Sequence, residues 1–414
     1  MIRTIHTARY VLTESGILMR NAAVHVSDPG RISRLEPWQS PPPNLETRVI
    51  DWGCAIILPG LVNTHCHLEL TGLRNLAPPR TSFTNWLSAL IMTRRDWTEA
   101  DYTSFVKLGA RMSLDAGTPL IGDISASGIS GKALGPEKLR KVVFEEAIGL
   151  MPEKASEVLA SLNRRLDGVP DEDSLLNFGL SPHAPYSVSP ELYRAVTNLA
   201  QQHRMLLATH VAETADESEL LRRGRGKLAE FLTRMGALPD GWVPPGQDPI
   251  PYLAQLGALD RPAILVHCNY VDGESMALIL NRSCSVVYCP RSHAYFGFDP
   301  HPVRQMLDMG INVALGTDSL ASNDSLSLLD EMRFLFRSRK DLRCDEILRM
   351  ATLNGAVALG FGGVLGRLRR GYWADMTVLR LPENIGERNV IAQVLEGAGE
   401  CMATIVQGEI VRRG

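Results

Sequence analysis

Two histidines separated by one residue follow an apolar stretch early in the chain. The stretch runs from Leu58 to Asn63, and His65 and His67 come directly after it. Because side chains alternate along an extended strand, both imidazoles point to the same face. Neutral imidazoles that share a face are ligands for a divalent transition metal. Such a pair also occurs as ordinary structural histidines, so the metal interpretation needs support from the rest of the chain.

His210 and Glu213 give part of that support. His210 ends the apolar run 205–209, and Glu213 stands where the strand gives way to a turn. A histidine at a strand end is commonly a core or surface residue, and this interpretation stays open. The pair also suits a hydrolytic metal site, which needs a few protein ligands, an open position for water and a separate acid–base group.

Two further polar residues end apolar runs. His267 follows residues 263–266, and Asp318 follows residues 313–317. An ionised carboxylate after a buried strand is costly without a partner, so a metal or a buried cation should accompany Asp318. The alternative for Asp318 is a helix N-cap, because Ser319 and a short helix can follow it. Metal-binding or proton-transferring side chains thus follow several separate strands.

The order of apolar and amphipathic segments predicts how these side chains are brought together. Short apolar runs alternate with stretches long enough for helical crossovers, such as 152–167 and 190–203. Strand–helix units that close on themselves make an α/β fold, the (β/α)₈ TIM barrel, whose functional residues collect at the strand ends. The eight apolar runs are 56–63, 118–124, 141–147, 176–181, 205–210, 263–267, 285–289 and 311–316.

The two ends of the chain carry shorter, alternating patterns that are typical of exposed strands. Gln407-Gly408 lies between two β-branched runs and predicts a hairpin turn. Neither end is expected to form a stable core alone, so we expect both to pair into one small β-sandwich beside the barrel. This divides the chain into residues 1–57, 58–363 and 364–414. The segment 238–255, rich in proline and glycine, is interpreted as an insertion or an active-site loop.

Composition limits the class of protein. The chain has 414 residues, is 45% hydrophobic and 21% charged, and carries a net charge of −3, which gives no reason to expect nucleic acid or an anionic membrane as a partner. We expect no export signal, because the first residues lack a basic stretch followed by an apolar core. Seven cysteines without a CxxC pair fit a reducing cytoplasm. A small-molecule substrate is therefore expected, and the exposed helix faces leave a homodimer open.

The motifs taken together resemble the amidohydrolase superfamily, in the branch of cytosine, guanine and adenosine-type deaminases and triazine chlorohydrolases. The matching segments are PGLVNTHCH at 59–67, THVAE at 209–213, VHCNYVD at 266–272, GTDSLASND at 316–324, and a C-terminal stretch from Gly366 to Leu379. The resemblance covers essentially the whole chain. It is closest to the deaminases of S-adenosylhomocysteine, methylthioadenosine and aminodeoxyfutalosine.

The resemblance implies one divalent metal ion, held by three histidines and one aspartate. Relatives with two metals bridge them by a carboxylated lysine on the fourth strand, whereas here that strand ends in Ser181-Pro182-His183. A mononuclear site is therefore expected, and Zn²⁺ and Fe²⁺ both accept these donors. The expected ligands are His65, His67, His210 and Asp318.

The hypothesis for catalysis is the hydrolytic release of ammonia from an adenine-type ring. A divalent metal makes hydroxide available at neutral pH. Asp318 would accept the proton of the attacking water, and His267 would orient that water and stabilise the developing oxyanion. Glu213 would protonate the ring nitrogen beside the attacked carbon.

Four residues are candidates for substrate contacts. His183 lies in a segment that resembles the strand-four motif of adenosine-related deaminases, where the histidine contacts the purine; a packed loop histidine is the alternative. Glu69 shares the strand parity of His67 and is either a ligand group at the mouth of the barrel or a solvated loop carboxylate. Arg291 offers bidentate recognition of a carboxylate. Trp86 is either a lid over the pocket or a helix packing residue.

These features favour an adenine nucleoside with an acidic appendage. 6-Amino-6-deoxyfutalosine fits that description, and S-adenosylhomocysteine, methylthioadenosine and adenosine remain candidates. The alternatives are a triazine, pyrimidine or guanine-type aminohydrolase or chlorohydrolase, an amide-ring hydrolase, and a barrel scaffold without catalysis. His6, His25, His203 and His301 receive no functional role, and His301 is placed in a polar loop.

Overall fold

The N-terminal part of the chain forms strands that belong to the smaller of two sheets. The structure, a computed structural model, describes residues 2–14, 16–40, 47–167, 175–386 and 388–413. Their apolar residues make β5 and most of β1 buried, whereas β3 and β4 are more exposed. They are β1 (Ile2–Leu12), β2 (Leu18–Ser27), β3 (Arg31–Pro37), β4 (Arg48–Asp51) and β5 (Ala55–Pro59).

The barrel strands follow, and they are parallel and almost wholly buried. Each pairs with the next along the chain, and backbone hydrogen bonds from Thr317 and Asp318 to the His65 carbonyl, at 3.1 and 3.2 Å, join the last strand to the first. The described residues thus form the predicted (β/α)₈ TIM barrel. The strands are β6 (Val62–Cys66), β7 (Leu120–Ser125), β8 (Arg140–Ala147), β9 (Leu176–Pro182), β10 (Leu206–Val211), β11 (Ile264–His267), β12 (Ser285–Tyr288) and β13 (Asn312–Leu315).

The C-terminal strands return to the smaller sheet. β14 pairs antiparallel with β5, with Val378 opposite Ile57, so both ends of the chain share one mixed sheet, as expected. Gln407 and Gly408 have φ of 49° and 75°, the left-handed values of a two-residue hairpin turn. A Cβ on Gly408 would lie 2.5 Å from Val26 Cγ1, so glycine is required there. These strands are β14 (Met376–Arg380), β15 (Glu400–Val406) and β16 (Glu409–Arg413).

Helices connect the barrel strands and cover the outside of the barrel. No helix in the described part of the chain combines the length and apolar character needed to cross a membrane. The helices are α1 (Phe83–Arg94), α2 (Glu99–Asp115), α3 (Ser130–Leu134), α4 (Ala155–Asp167), α5 (Pro190–Gln202), α6 (Ala215–Arg223), α7 (Lys227–Arg234), α8 (Pro249–Gln255), α9 (Gly273–Asn281), α10 (Pro290–Phe296), α11 (Val303–Asp308), α12 (Leu328–Ser338), α13 (Cys344–Met350), α14 (Leu353–Ala358) and α15 (Val390–Glu396).

Two segments differ from the sequence expectation. The run 56–63 is not one barrel strand, because Gly60 and Leu61 interrupt it: β5 joins the smaller sheet and β6 begins the barrel at Val62. The segment 238–255 is not a loop throughout, since its last residues form α8, which begins with Pro249 in the first turn. The division of the chain at residues 57/58 and 363/364 stays a prediction.

A buried ion pair links the barrel to the smaller sheet. Arg140 Nε in β8 donates to Asp375 Oδ2 at 2.9 Å, and the backbone N–H of Gln407 donates to Asp375 Oδ1 at 2.8 Å. Both charged side chains are nearly inaccessible, at 3% and 2% exposure. Removing one partner of a buried pair leaves the other charge without compensation.

We therefore expect Asp375→Ala to lower the free energy of unfolding by about 3–5 kcal/mol. The measurement is urea denaturation followed by circular dichroism. The exposed change Asp308→Ala, at the end of α11, is the control. A loss at Asp375 no larger than at Asp308 would show that the pair does not stabilise the fold.

Candidate functional site

Three histidines and one aspartate converge at the carboxyl ends of the barrel strands. His65 lies in β6, His67 follows it, His210 lies in β10, and Asp318 follows β13. His67 Nε2 and His210 Nε2 are 3.2 Å apart. Asp318 Oδ1 lies 3.8 Å from His65 Nε2 and 3.7 Å from His67 Nε2. The structure thus brings the four predicted ligands to one point.

Barrel closure explains why Asp318 reaches the histidines. Asn63 Nδ2 donates to Thr317 Oγ1 at 2.8 Å, and the Thr317 backbone N–H donates to Asn63 Oδ1 at 3.1 Å. Asp318 then adopts a left-handed backbone with φ of 58°. Such a conformation is unfavourable for a residue other than glycine and persists only where the surroundings impose it. Here it directs the carboxylate into the barrel and not along the rim.

The donor set fits a divalent metal ion. Metal–ligand bonds of about 2.0–2.2 Å in a tetrahedral site place the donor atoms roughly 3.3 Å apart, close to the separations seen here. Burial lowers the pKa of His65 and His67 well below the ordinary value and that of His210 to about 4, so these rings are neutral, as metal ligands must be. Both ring nitrogens of His65 are buried and have no hydrogen-bond partner among the described residues.

Hydrogen bonds orient the ligands for this role. His210 Nδ1 donates to the His183 carbonyl at 3.1 Å, which leaves Nε2 free to bind a metal. Asp318 Oδ2 accepts from Ser292 Oγ at 2.7 Å and from Ser322 Oγ at 2.8 Å, so Oδ1 is the oxygen that faces the imidazoles. Burial raises the pKa of Asp318, and a cation at this point would keep its carboxylate ionised.

Glu213 and His267 lie side by side next to the histidine cluster. Glu213 Oε1 is 3.6 Å from His267 Nε2, and both side chains are buried. Burial raises the pKa of Glu213 well above its ordinary value, which favours the protonated form of its carboxyl group. The residue is fixed by its backbone, because its N–H donates to Glu217 Oε2 at 3.0 Å and its carbonyl accepts from Asn269 Nδ2 at 2.9 Å. A buried proton donor therefore stands beside the candidate metal centre.

A cavity of about 540 Å³ opens above these residues. One part of its lining is polar and contains His67, His210 and Asp318 together with Glu213 and His267. The rest of its wall is largely apolar. This shape suits a ligand with one polar, reactive end and a less polar end near the mouth. The apolar wall contains Leu70, Phe83, Trp86, Leu87, Leu90, Ile91, Ile148, Leu150, Met151, Phe231, Leu232 and Met235.

Three of the four substrate candidates line this cavity. His183 lies beside His210, with ring centroids 4.9 Å apart, and its Nδ1 is 2.5 Å from Ser187 Oγ. Glu69 is 1% exposed, which excludes the solvated loop carboxylate. Trp86 is packed in α1 and its Nε1 donates to the Ala321 carbonyl at 2.8 Å, so it is a packing residue that also forms part of the cavity wall.

Arg291 lies apart from the cavity. Its Nη2 binds Asp324 Oδ1, its Nη1 is 4.0 Å from Asp330 Oδ2, and it is absent from the cavity lining. The acidic neighbours of the guanidinium are thus Asp324, in the loop before α12, and Asp330 of α12. This position gives no support to a substrate contact of Arg291.

The sequence did not single out three residues that line the same cavity or touch Glu69. Arg94 Nη2 donates to Glu69 Oε1 at 2.9 Å, and Ser127 Oγ donates to Glu69 Oε2 at 2.6 Å. Glu146 lies at the end of β8 and lines the cavity. The alternation of side chains along the run 141–147 could have indicated Glu146. Arg94 could not have been predicted, because in the sequence it does not differ from a surface cation on a helix.

His301 is a further residue whose surroundings differ from the expectation. It lies in the loop before α11, as expected, but it is buried at 2% exposure, because its ring stacks on Tyr288 with centroids 3.9 Å apart. Its Nε2 donates to the His267 carbonyl at 2.9 Å. His267 has φ of 74°, a strained value for histidine, so His301 supports the conformation that aims His267 at the site.

We expect His301→Phe to lower kcat by about tenfold or more, because a small misplacement of His267 is sufficient for that loss. His301→Gln keeps an N–H donor and should recover part of it. The readouts are kcat and metal content, and the metal content should stay unchanged. Unchanged kcat in His301→Phe would show that His301 only fills space.

Comparisons with known proteins show what the chain is similar to. The model of the amidohydrolase family matches residues 56–411. The chain is 31% identical over 374 residues to 5-methylthioadenosine/S-adenosylhomocysteine deaminase of Halothermothrix orenii, covering 86% of this chain and 80% of that protein. It is 28% identical over 414 residues to 5′-deoxyadenosine deaminase of Methanopyrus kandleri, covering 95% and 90%. Helicobacter pylori aminofutalosine deaminase, solved with methylthio-coformycin, shares the fold with a TM-score of 0.85 at 24% identity, covering 99% and 100% of the chains.

Proposed function

Because the chain belongs to the amidohydrolase family, we propose that it is a metal-dependent deaminase of adenine-type nucleosides. One observation carries the proposal. Glu213, a buried carboxyl group, lies beside His267 and lines the same cavity as His67, His210 and Asp318, which cluster with His65. Hydrolytic deamination needs this combination of a proton donor to the ring and a separate site that activates water.

The residues divide the reaction between them. A divalent ion supplies water of lowered pKa at neutral pH when it is bound. Asp318 would accept a proton from the attacking water, and His267 would orient that water and stabilise the charge that develops on its oxygen. Glu213 donates its proton to the ring nitrogen beside the attacked carbon. The overall change replaces the C–NH₂ group by a carbonyl, consumes one water and releases ammonia.

We propose a single Zn²⁺ ion, with Fe²⁺ as the alternative that accepts the same donors. Three imidazoles and one carboxylate at the observed separations suit either ion. β9 ends at Pro182 without a lysine that could bridge a second ion. His65, His67, His210 and Asp318 would hold the metal.

The relatives and the cavity wall support a nucleoside that lacks the ordinary 5′-hydroxyl group. The named substrates of the two relatives are adenine nucleosides altered at that position. The cavity wall away from the metal-ligand candidates is mostly apolar. This favours methylthioadenosine or 5′-deoxyadenosine. Because the cations Arg94 and Lys154 also line the cavity, S-adenosylhomocysteine and 6-amino-6-deoxyfutalosine, which carry a carboxylate, remain candidates.

The location and assembly of the protein are further parts of the proposal. All seven cysteines have free thiols, which supports a reducing compartment, the cytoplasm. We keep the homodimer as a proposal, which light scattering of the purified protein tests directly.

The test of the function is ammonia release by the zinc-loaded protein from five nucleosides. These are 6-amino-6-deoxyfutalosine, S-adenosylhomocysteine, methylthioadenosine, 5′-deoxyadenosine and adenosine. Guanine, cytosine and a chlorotriazine, the last assayed for chloride, represent the alternative reactions. We expect turnover of at least one nucleoside above the metal-free protein. Turnover of guanine, cytosine or the triazine alone would overturn the nucleoside assignment, and no turnover of any compound would favour a scaffold.

A further inference from the structure

One carboxyl group in the cavity has no role in the reaction described above. Glu146, near the carboxyl end of β8, is buried at 6% exposure and lines the cavity. Its Oε1 atom is buried and has no hydrogen-bond partner among the described residues. Leaving a buried polar atom unpaired is costly, by about 1–3 kcal/mol. A group of this kind in a cavity is therefore a candidate for binding a ligand.

The neighbouring carboxylates are already occupied. Glu69 accepts hydrogen bonds on both oxygens, from Arg94 and from Ser127. Glu145, the residue before Glu146, points to the opposite face of the strand, and its Oε2 lies 3.4 Å from Arg165 Nη1. Glu146 is thus the carboxyl group on this side of the cavity, within the described residues, with an oxygen still free to bind.

The order of the strands places Glu146 two strands away from Glu213. β10, β9 and β8 are consecutive neighbours, and they lead to Glu213, His183 and Glu146 respectively. Neighbouring strands are about 4.8 Å apart. If a ring nitrogen of the base contacts Glu213, the base extends past His183, which follows the strand between β10 and β8. The sugar attached to the far side of that base would then lie near Glu146.

We propose that Glu146 is a specificity residue that binds the sugar hydroxyl groups of the nucleoside, an inference that rests on the proposed function. A hydroxyl group both donates and accepts hydrogen bonds, so it pairs with a carboxyl group in either protonation state. Burial raises the pKa of Glu146 to about 8, which agrees with a carboxyl group that has no cation of its own.

A second metal ion at Glu146 is less well supported by the contacts. Glu146, His183 and His210 have potential ligand atoms within 4.8 Å of one another. His210 Nδ1 already donates to the His183 carbonyl, and His183 Nδ1 lies 2.5 Å from Ser187 Oγ. His210 Nε2 belongs to the first cluster, so only Glu146 and His183 Nε2 remain, too few to hold an ion tightly.

The test compares adenosine, 2′-deoxyadenosine and 3′-deoxyadenosine as substrates of zinc-loaded wild type, Glu146→Ala and Glu146→Gln. Wild-type kcat/KM should fall by about 30-fold when a contacted hydroxyl is missing, because Glu146 is then left unpaired. Glu146→Ala should lose a similar factor on adenosine and show almost no further loss on the deoxy substrate. Glu146→Gln, which keeps a polar group of the same size, should show an intermediate loss and decides the question if the alanine variant does not fold.

The control variant is Glu153→Gln, which changes an exposed carboxylate just beyond the same strand and outside the cavity lining. It should behave as wild type on all three substrates. An undiminished loss on the deoxy substrates in both Glu146 variants would overturn the assignment, as would equal wild-type activity on all three. A wild-type protein that deaminates no nucleoside at all contradicts the proposed function instead, so the two failures are distinguishable.

Discussion

Replacing Glu213 by glutamine should lower kcat for the nucleoside by about 10³-fold while the protein keeps its metal ion. Burial raises the pKa of Glu213, which lies beside His267, and so favours the protonated form that can donate to a ring nitrogen. Glutamine has nearly the same shape but cannot give up a proton. The measurement is steady-state ammonia release, with metal content determined on the same sample by elemental analysis.

Glu219→Gln is the matched control for that change. Glu219 lies on α6, where it pairs with Arg223 and Arg225 on the surface, and its amide variant should keep wild-type kcat. Near-normal turnover by a metal-containing Glu213→Gln protein would remove the acid–base role from Glu213. The protonation of the ring would then need another donor.

The second large effect is expected for His210. His210→Ala should lose the bound ion and lower kcat by at least about 10³-fold, because water is no longer activated at neutral pH. His210 is the ligand whose tautomer is fixed by the His183 carbonyl, which leaves its Nε2 to bind the ion. Both metal content and ammonia release are measured.

Chelation gives the same result by an independent route. Removal of the ion from wild type should abolish activity, and one equivalent of Zn²⁺ should restore it. His203→Ala, an exposed histidine after α5, is the control and should change neither quantity. Full activity in the chelated protein, or in His210→Ala, would show that the histidine cluster is not a catalytic metal site.

Most of the barrel could be predicted from the sequence because its strands are continuous apolar runs. The runs 141–147 and 205–210, for example, correspond to β8 and β10 within one residue at each end. The run 56–63 was misread as one strand because apolar character alone does not tell a strand inside the smaller sheet from a barrel strand. The break at Gly60, which follows β5, is the local signal that marks the change of sheet.

The site could be predicted only where side chains follow strand ends. His65, His67, His210 and Asp318 converge because barrel geometry gathers such positions on one rim. The pairing of Glu69 with Arg94 joins a segment after β6 to the end of α1 and could not be read from local pattern. The burial of His301 could not be read from local pattern either, since it depends on the contact of its ring with Tyr288 at the end of β12.

The most direct test of the central claim is a crystal structure of the zinc-loaded protein with anomalous data collected at the zinc edge. The account predicts one peak within about 2.0–2.2 Å of a nitrogen of each of His65, His67 and His210 and of Asp318 Oδ1. A peak bound elsewhere, such as between Glu146 and His183, or the lack of any peak in a protein that still deaminates nucleosides, would contradict it.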